Sequence, residues 1–245
     1  MLHEFRQKEE AIQKRQSNFE LLRCLAMFTI VLWHSISHGF MEHIVVDVAT
    51  LTHILNYGIS QILLSLCCVS VNVYVMITGY FLYDKGFRLD RIFKIWFQTF
   101  FYSLIIAIFF FLVLPSYGIE CFSLRKLLPY WGGAYWFVVD YLALLVIAPF
   151  LSKASSRMDK KTYNLLLLVI TVIGCSIFPF QPGGNHLFFY YGYSLVWFVC
   201  LYITGCYLRR FSLKFSRNQL LTVSIGIIFI VSSFGFVYSS MMGGG

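Results

Sequence analysis

The stretch LLRCLAMFTIVLWHS, residues 21–35, decides the fold of this chain. It is apolar for nearly its whole length, yet it contains Arg23 and His34. A helix needs roughly 20 apolar residues to cross a bilayer core of about 30 Å. Residues 19–37 meet this length and are predicted to span a membrane. They follow a charged stretch and offer no small-residue cleavage site, so a secretory signal peptide is not predicted.

The composition of the whole chain also favours a membrane protein. Of its 245 residues, 59% are hydrophobic and 12% are charged, whereas soluble domains carry about 25% charged residues. The mean hydropathy is +0.74. The prediction is an all-α polytopic membrane protein, with residues 1–18 as a cytoplasmic polar lead and residues 19–245 as the transmembrane domain. Seven spans are predicted: 19–37, 60–82, 92–114, 135–151, 164–180, 193–208 and 219–239. Residues 51–59 are interpreted as a separate interfacial segment before the second span.

The distribution of basic residues predicts the orientation. Sixteen of the 19 Lys and Arg residues lie before the first span or just after the second, fourth and sixth spans. The alternate loops hold only Arg125 and Lys126. The positive-inside rule therefore places the N-terminus in the cytoplasm. Each basic cluster is a short loop beside a span, so no nucleic-acid partner is predicted, and the cysteine and histidine spacings predict no metal site.

Arg23 and His34 are predicted to share one face of the first helix. Eleven residues at about 100° each complete three turns plus about 20°, so the two side chains lie about 16 Å apart along the axis. One interpretation is structural, with Arg23 snorkelling to the inner surface and His34 bonded at the outer interface. The other is functional, because ionisable residues inside spans are costly to bury. A fixed cation and a titratable base on one face suit an anionic ligand and a proton transfer.

Five segments together resemble one known family. They are NFELLRCLAMFTIVLWHS (18–35), VNVYVMITGYFL (71–82), RLDRI (88–92), YWFVVDYLALLVIAPFL (135–151) and WFVCLYITGCYLRR (197–210). In order and spacing they are similar to the membrane acyltransferase-3 family, bacterial enzymes that O-acylate envelope sugars. Thr78-Gly79-Tyr80 stands where that family usually has Ser-Gly-Tyr or Ser-Gly-Phe. Family members usually have about ten spans, so this chain is expected to be incomplete at its C-terminus.

The resemblance implies an O-acetyltransferase of the bacterial inner membrane. Its donor would be acetyl-CoA, with no metal, and its acceptor an envelope polysaccharide or a lipid-linked sugar precursor among the membrane lipids. His34 would be the general base or acyl carrier. Arg23 would hold the donor or pair with Glu20, and Arg88 and Arg91 would bind donor phosphates. The alternative for Arg88 and Arg91 is an ordinary positive-inside role.

Further candidate residues come from the fourth span and from the first outer loop. Asp140 is predicted to orient His34, or else to be a carboxylate near the outer interface bonded to a tyrosine. Trp136, Tyr135 and Tyr141 are candidates for stacking on a sugar, although aromatic belts also place such residues at this depth. The outer-loop histidines, interpreted as solvated, are His38, His43 and His53. The rival functions are a glycan or lipid transporter and a non-catalytic acyltransferase fragment.

Overall fold

The computed structural model describes residues 17–40, 51–113, 135–177, 194–211, 216 and 218–226. These ranges are almost wholly helical and contain no strand. The helices are α1 (Ser17–His34), α2 (Leu51–Cys67), α3 (Ser70–Leu82), α4 (Leu89–Val113), α5 (Trp136–Arg157), α6 (Lys160–Ile177) and α7 (Leu195–Arg210). A π-helical segment, Ser35–Phe40, continues α1, and residues 218–226 are also helical. The prediction of an all-α protein is confirmed.

Four helical stretches in the described ranges are long and apolar enough to cross a membrane. They are Asn18–Gly39, Gly58–Leu82, Leu89–Val113 and Trp136–Arg157, and they correspond to the first four predicted spans. The predicted spans 164–180 and 193–208 fall mainly on α6 and α7. Only residues 219–226 of the last predicted span are described, and they are helical.

The described helices fall into two compact units. The first comprises residues 1–74 and 214–245, and the second comprises residues 75–213. In the first unit α1 packs on α2, and the Thr29 and Ser70 hydroxyls lie 2.6 Å apart.

The second predicted span differs from a single straight helix. Residues 51–59 are the first part of α2 rather than a separate segment, and a turn at Cys68 and Val69 separates α2 from α3. At this break the Ser70 hydroxyl donates to the carbonyl of Cys67 at 2.7 Å. A side-chain donor of this kind can occupy a carbonyl where helical bonding is interrupted, so the break is stabilised locally.

In the second unit α5 packs between α4 and α7. Its core contains fully buried aromatic and aliphatic side chains, among them Leu144, Tyr163, Phe198 and Tyr202. The buried hydroxyls are paired across helices. Tyr202 and Ser152 lie 2.8 Å apart, and Tyr163 donates to the carbonyl of Ile203 at 2.8 Å. Apolar surroundings make an unpaired hydroxyl costly, so these bonds help to fix the register of α5, α6 and α7.

Helices α3 and α7 make backbone contact at two glycines. A Cβ on Gly79 would collide with the carbonyl oxygen of Tyr202, and a Cβ on Gly205 would collide with the carbonyl oxygen of Met76. Small residues allow membrane helices to approach this closely. The glycine of the Thr-Gly-Tyr segment therefore has a packing role.

Candidate functional site

His34 lies at the end of α1, where α-helical geometry changes to π-helical geometry. Because α1 is continuous from Ser17 to His34, Arg23 and His34 lie on one helix face, as the spacing predicts. The His34 side chain is exposed and Arg23 is half-buried. Single π turns often occur at functional sites, which makes this junction a candidate.

The His34 imidazole contacts two neighbouring rings. It stacks on His38 with ring centroids 5.7 Å apart and 17° between planes. Trp33 meets it edge-on at 5.1 Å. These contacts place an aromatic and imidazole cluster at the end of the first span.

The prediction that three histidines share an outer loop is wrong for two of them. His38 belongs to the π-helical segment, and His53 belongs to α2. His43 lies outside the described residues. The first helical stretch continues through Gly39, two residues past the predicted end of the first span at residue 37, and it therefore includes His38.

A second candidate site lies in the second unit, at the loop between α3 and α4. A cleft with an empty volume of about 260 Å³, including the part open to solvent, is lined there by basic and apolar residues. We call it the basic cleft; its lining residues are Leu82, Lys85, Gly86, Phe87, Arg88, Arg91, Leu145, Ala148 and Pro149. The structure thus brings together Arg88 and Arg91, both predicted to bind the donor, and adds Lys85.

Arg88 is held at the rim of the basic cleft by Asp90. Its Nε and Nη2 atoms donate to the two carboxylate oxygens of Asp90 at 3.0 and 2.7 Å. These hydrogen bonds and the negative charge of Asp90 raise the pKa of Arg88. Both side chains are more than half exposed, and solvent screening leaves an exposed ion pair with little effect on stability. The pair therefore positions the Arg88 guanidinium at the rim without adding much to the stability of the fold.

The loop that carries Lys85 and Arg88 is tied to α7 through Arg209. The Arg209 guanidinium lies 5.2 Å from the ring centroid of Tyr80, and its Nε lies 4.0 Å from an oxygen of Asp84. The sequence does not predict this contact with the loop, because Arg209 is only one member of a basic cluster after the sixth predicted span. Its neighbour in the fold, Tyr80, is more than a hundred positions away in the chain, so no local pattern indicates the contact.

The candidates of the fourth span lie at the start of α5 and are all half-buried. The Tyr141 and Thr78 hydroxyls lie 3.0 Å apart, and the Tyr135 hydroxyl pairs with that of Ser103. The Trp136 ring packs near Phe198, with centroids 6.2 Å apart. Asp140 lies on the same turn of helix. The aromatic side chains thus join helices within the second unit as well as flanking Asp140.

Residues of α5 connect this region with the basic cleft. Tyr141, Leu145 and Ala148 are spaced at i, i+4 and i+7, which places them on one helix face. Tyr141 lies about 10 Å along the axis from Ala148. One face of α5 thus runs from the lining of the cleft to the Tyr141–Thr78 pair.

The described residues contain no group of three His, Cys, Asp or Glu side chains arranged to hold a metal. The family model described as an acyltransferase domain matches residues 16–244. No curated protein matches this chain, and no solved structure matches it. The family match covers nearly all of the chain, including α1 and the basic cleft. This chain therefore belongs to the acyltransferase 3 family of membrane acyltransferases.

Proposed function

We propose that this protein transfers an acetyl group from acetyl-CoA to a hydroxyl of an envelope polysaccharide or its lipid-linked precursor. The observation that carries the proposal is the basic cleft, where Lys85, Arg88 and Arg91 surround an apolar floor in a member of an acyltransferase family. Coenzyme A combines several phosphates with an apolar arm and an adenine base. A site with clustered cations beside apolar side chains suits that combination.

The cations of the basic cleft would bind the donor phosphates. Guanidinium groups form charge-assisted, often bidentate hydrogen bonds with phosphate oxygens. The Arg88 fork already binds a carboxylate in this geometry, so it is preorganised for another pair of oxygens. Arg23, which is half-buried in α1, would hold a donor phosphate or the thioester carbonyl.

His34 would act as the base of the transfer. The neutral imidazole takes the proton of the acceptor hydroxyl, and the resulting oxygen nucleophile attacks the thioester carbonyl carbon. A C–O ester bond forms as the C–S bond breaks. The imidazolium then returns its proton to the departing thiolate, which leaves as coenzyme A. The exposed ring is accessible to an external hydroxyl, and transfer through a covalent acyl-histidine would use the same nitrogen.

The remaining candidates would serve the acceptor. Asp140 would orient an imidazole or an acceptor hydroxyl, and Trp136, Tyr135 and Tyr141 would contact the sugar. The protein would lie in the bacterial inner membrane, as the family resemblance implies. The basic clusters alternate with loops poor in Lys and Arg, which supports an N-terminus in the cytoplasm. Donor and acceptor would then approach from opposite sides of the bilayer.

The proposal is tested by label transfer in membranes that contain the protein. Labelled acetyl-CoA and an envelope extract are supplied to wild type, His34→Ala and His38→Ala. His38 is the matched control, because it stacks on His34 but has no assigned chemistry. Transfer by wild type and His38→Ala but not by His34→Ala supports the proposal. Equal transfer by all three contradicts the role of His34, and glycan movement without acetylation favours a transporter.

The role of the cleft is tested in the same assay with Arg88→Gln and Arg91→Gln. Both substitutions are expected to raise the KM for acetyl-CoA, since each removes a charge from the phosphate site. Lys161→Gln removes an exposed charge from the start of α6 and should leave the KM unchanged. A KM that rises equally in all three variants would show a general surface-charge effect instead.

A further inference from the structure

We propose that Phe87 stacks on the adenine ring of coenzyme A in the basic cleft, an inference that rests on the proposed function. Phe87 lies in the loop before α4, between Gly86 and Arg88, and it lines the cleft. Half of its surface is exposed. Many apolar side chains of this membrane protein are as exposed, so the exposure alone does not indicate a ligand. The position of Phe87 in the lining of the cleft, beside Lys85, Arg88 and Arg91, is what points to one.

The wall contributed by α5 is apolar. Leu145, Ala148 and Pro149 line the cleft together with Phe87. A flat ring stacked on Phe87 would lie beside these apolar side chains and would exchange water for apolar contact.

The size of the cleft limits what it can hold. The cleft is shallow and open, since its volume of about 260 Å³ includes space open to solvent. It is therefore suited to one end of a large donor rather than to the whole molecule. The end that matches is the nucleotide, since it carries both the ring and phosphates.

The combination of groups favours a nucleotide over a lipid headgroup. Lys85, Arg88 and Arg91 would satisfy the phosphate of either ligand. Only the nucleotide offers a π-face to Phe87, and base–aromatic stacking tolerates many ring geometries. The open space around Gly86, where a Cβ would meet no atom within 4 Å, leaves room beside the phenyl ring.

The first measurement is equilibrium binding of coenzyme A to the purified protein in detergent. The variants are Phe87→Ala, Phe87→Trp and Phe93→Ala. Phe93 is the matched control, because it is 65% exposed and lies in the first turns of α4 outside the cleft lining. Phe87→Ala is expected to weaken binding by about 5- to 150-fold, the range that loss of one stacked base gives. Phe87→Trp should retain binding, and Phe93→Ala should match wild type.

The second measurement compares acetyl-CoA with acetyl-phosphopantetheine, which has the same thioester and no adenine. Phe87→Ala should raise the KM for acetyl-CoA by a similar factor, with little change in kcat, and should leave the KM for acetyl-phosphopantetheine unchanged. An equal rise for both donors would mean that Phe87 only shapes the loop. It would overturn the stacking inference, as would coenzyme A binding that is the same in Phe87→Ala and wild type.

The two measurements separate the inference from the proposed function. Coenzyme A binding that depends on Phe87, without acetyl transfer by wild type, would sustain the adenine site and refute the acetyltransferase proposal. Transfer that is insensitive to Phe87 would sustain the acetyltransferase and refute the adenine site. Absence of coenzyme A binding by wild type would refute the inference outright.

Discussion

The crossing of α3 and α7 predicts a large loss of stability from a single methyl group. In Gly79→Ala the new Cβ would collide with the carbonyl oxygen of Tyr202. That oxygen belongs to a helix backbone and cannot rotate away, so the two helices must separate. Overpacking of this kind typically costs about 1–3 kcal/mol. For a chain of about 150–250 residues, each kcal/mol lowers the melting temperature by about 2–4 °C, so the expected loss is about 2–12 °C.

The assay is thermal unfolding of the purified protein in detergent. After heating, the folded fraction is measured by size-exclusion chromatography with detection of tryptophan fluorescence. Gly58→Ala is the control, because a Cβ there meets no atom within 4 Å and alanine favours the helix by up to about 1 kcal/mol. Its melting temperature should be unchanged or higher. Gly79→Ala combined with Gly205→Ala should cost less than the sum of the single variants, since both relieve strain by the same separation. A melting temperature of Gly79→Ala equal to that of Gly58→Ala would refute the close crossing.

Three further predictions concern hydrogen bonds of the second unit. Tyr163→Phe removes the bonds to Ser155 and Ile203 and should cost about 1–3 kcal/mol in thermal unfolding; a neutral result would contradict their burial. Arg210→Gln removes a donor that reaches the carbonyls of Ser155 in α5 and of Met158 just after α5, both at 2.6 Å, so the melting temperature should fall in that variant but not in Lys161→Gln. The hydrogen bond from Thr162 lowers the pKa of Asp159. A carboxyl with a lowered folded pKa stabilises above about pH 4 and loses that contribution at lower pH. Asp159→Asn should therefore reduce stability at pH 7 and converge with wild type in acid, and a constant difference would contradict the charge effect.

The helical fold could be predicted from hydropathy because long apolar runs leave the backbone few alternatives in a membrane. Residues 19–37 and 92–114 illustrate this, since both match helices long enough to span. The break at Cys68 and Val69 could not be predicted in this way, because residues 59–78 contain no Pro or Gly that would mark a helix end. It depends on the Ser70 hydroxyl, which bonds to the carbonyl of Cys67 and contacts Thr29.

The candidate site could be predicted in part. The spacing of Arg23 and His34 predicts that they share one helix face. The cluster of basic residues in the loop after the second span identifies Arg88 and Arg91 as candidates. Phe87 could not be predicted, because nothing in its sequence neighbourhood distinguishes it from the other phenylalanines among the 26 in the chain. Its exposure and its position beside Pro149 become visible only when α5 packs against the loop. Likewise, the link from Arg209 to Tyr80 requires the crossing of α3 and α7.

The role of His34 in acetyl transfer is tested most directly by measuring alkali-labile acetyl esters on envelope glycans. Bacteria that lack their own activity of this kind would express wild type, His34→Ala or His38→Ala at equal membrane levels, and the esters would be counted by NMR of the purified glycan. We expect esters with wild type and His38→Ala and none above background with His34→Ala. Esters at the wild-type level in His34→Ala would contradict the account.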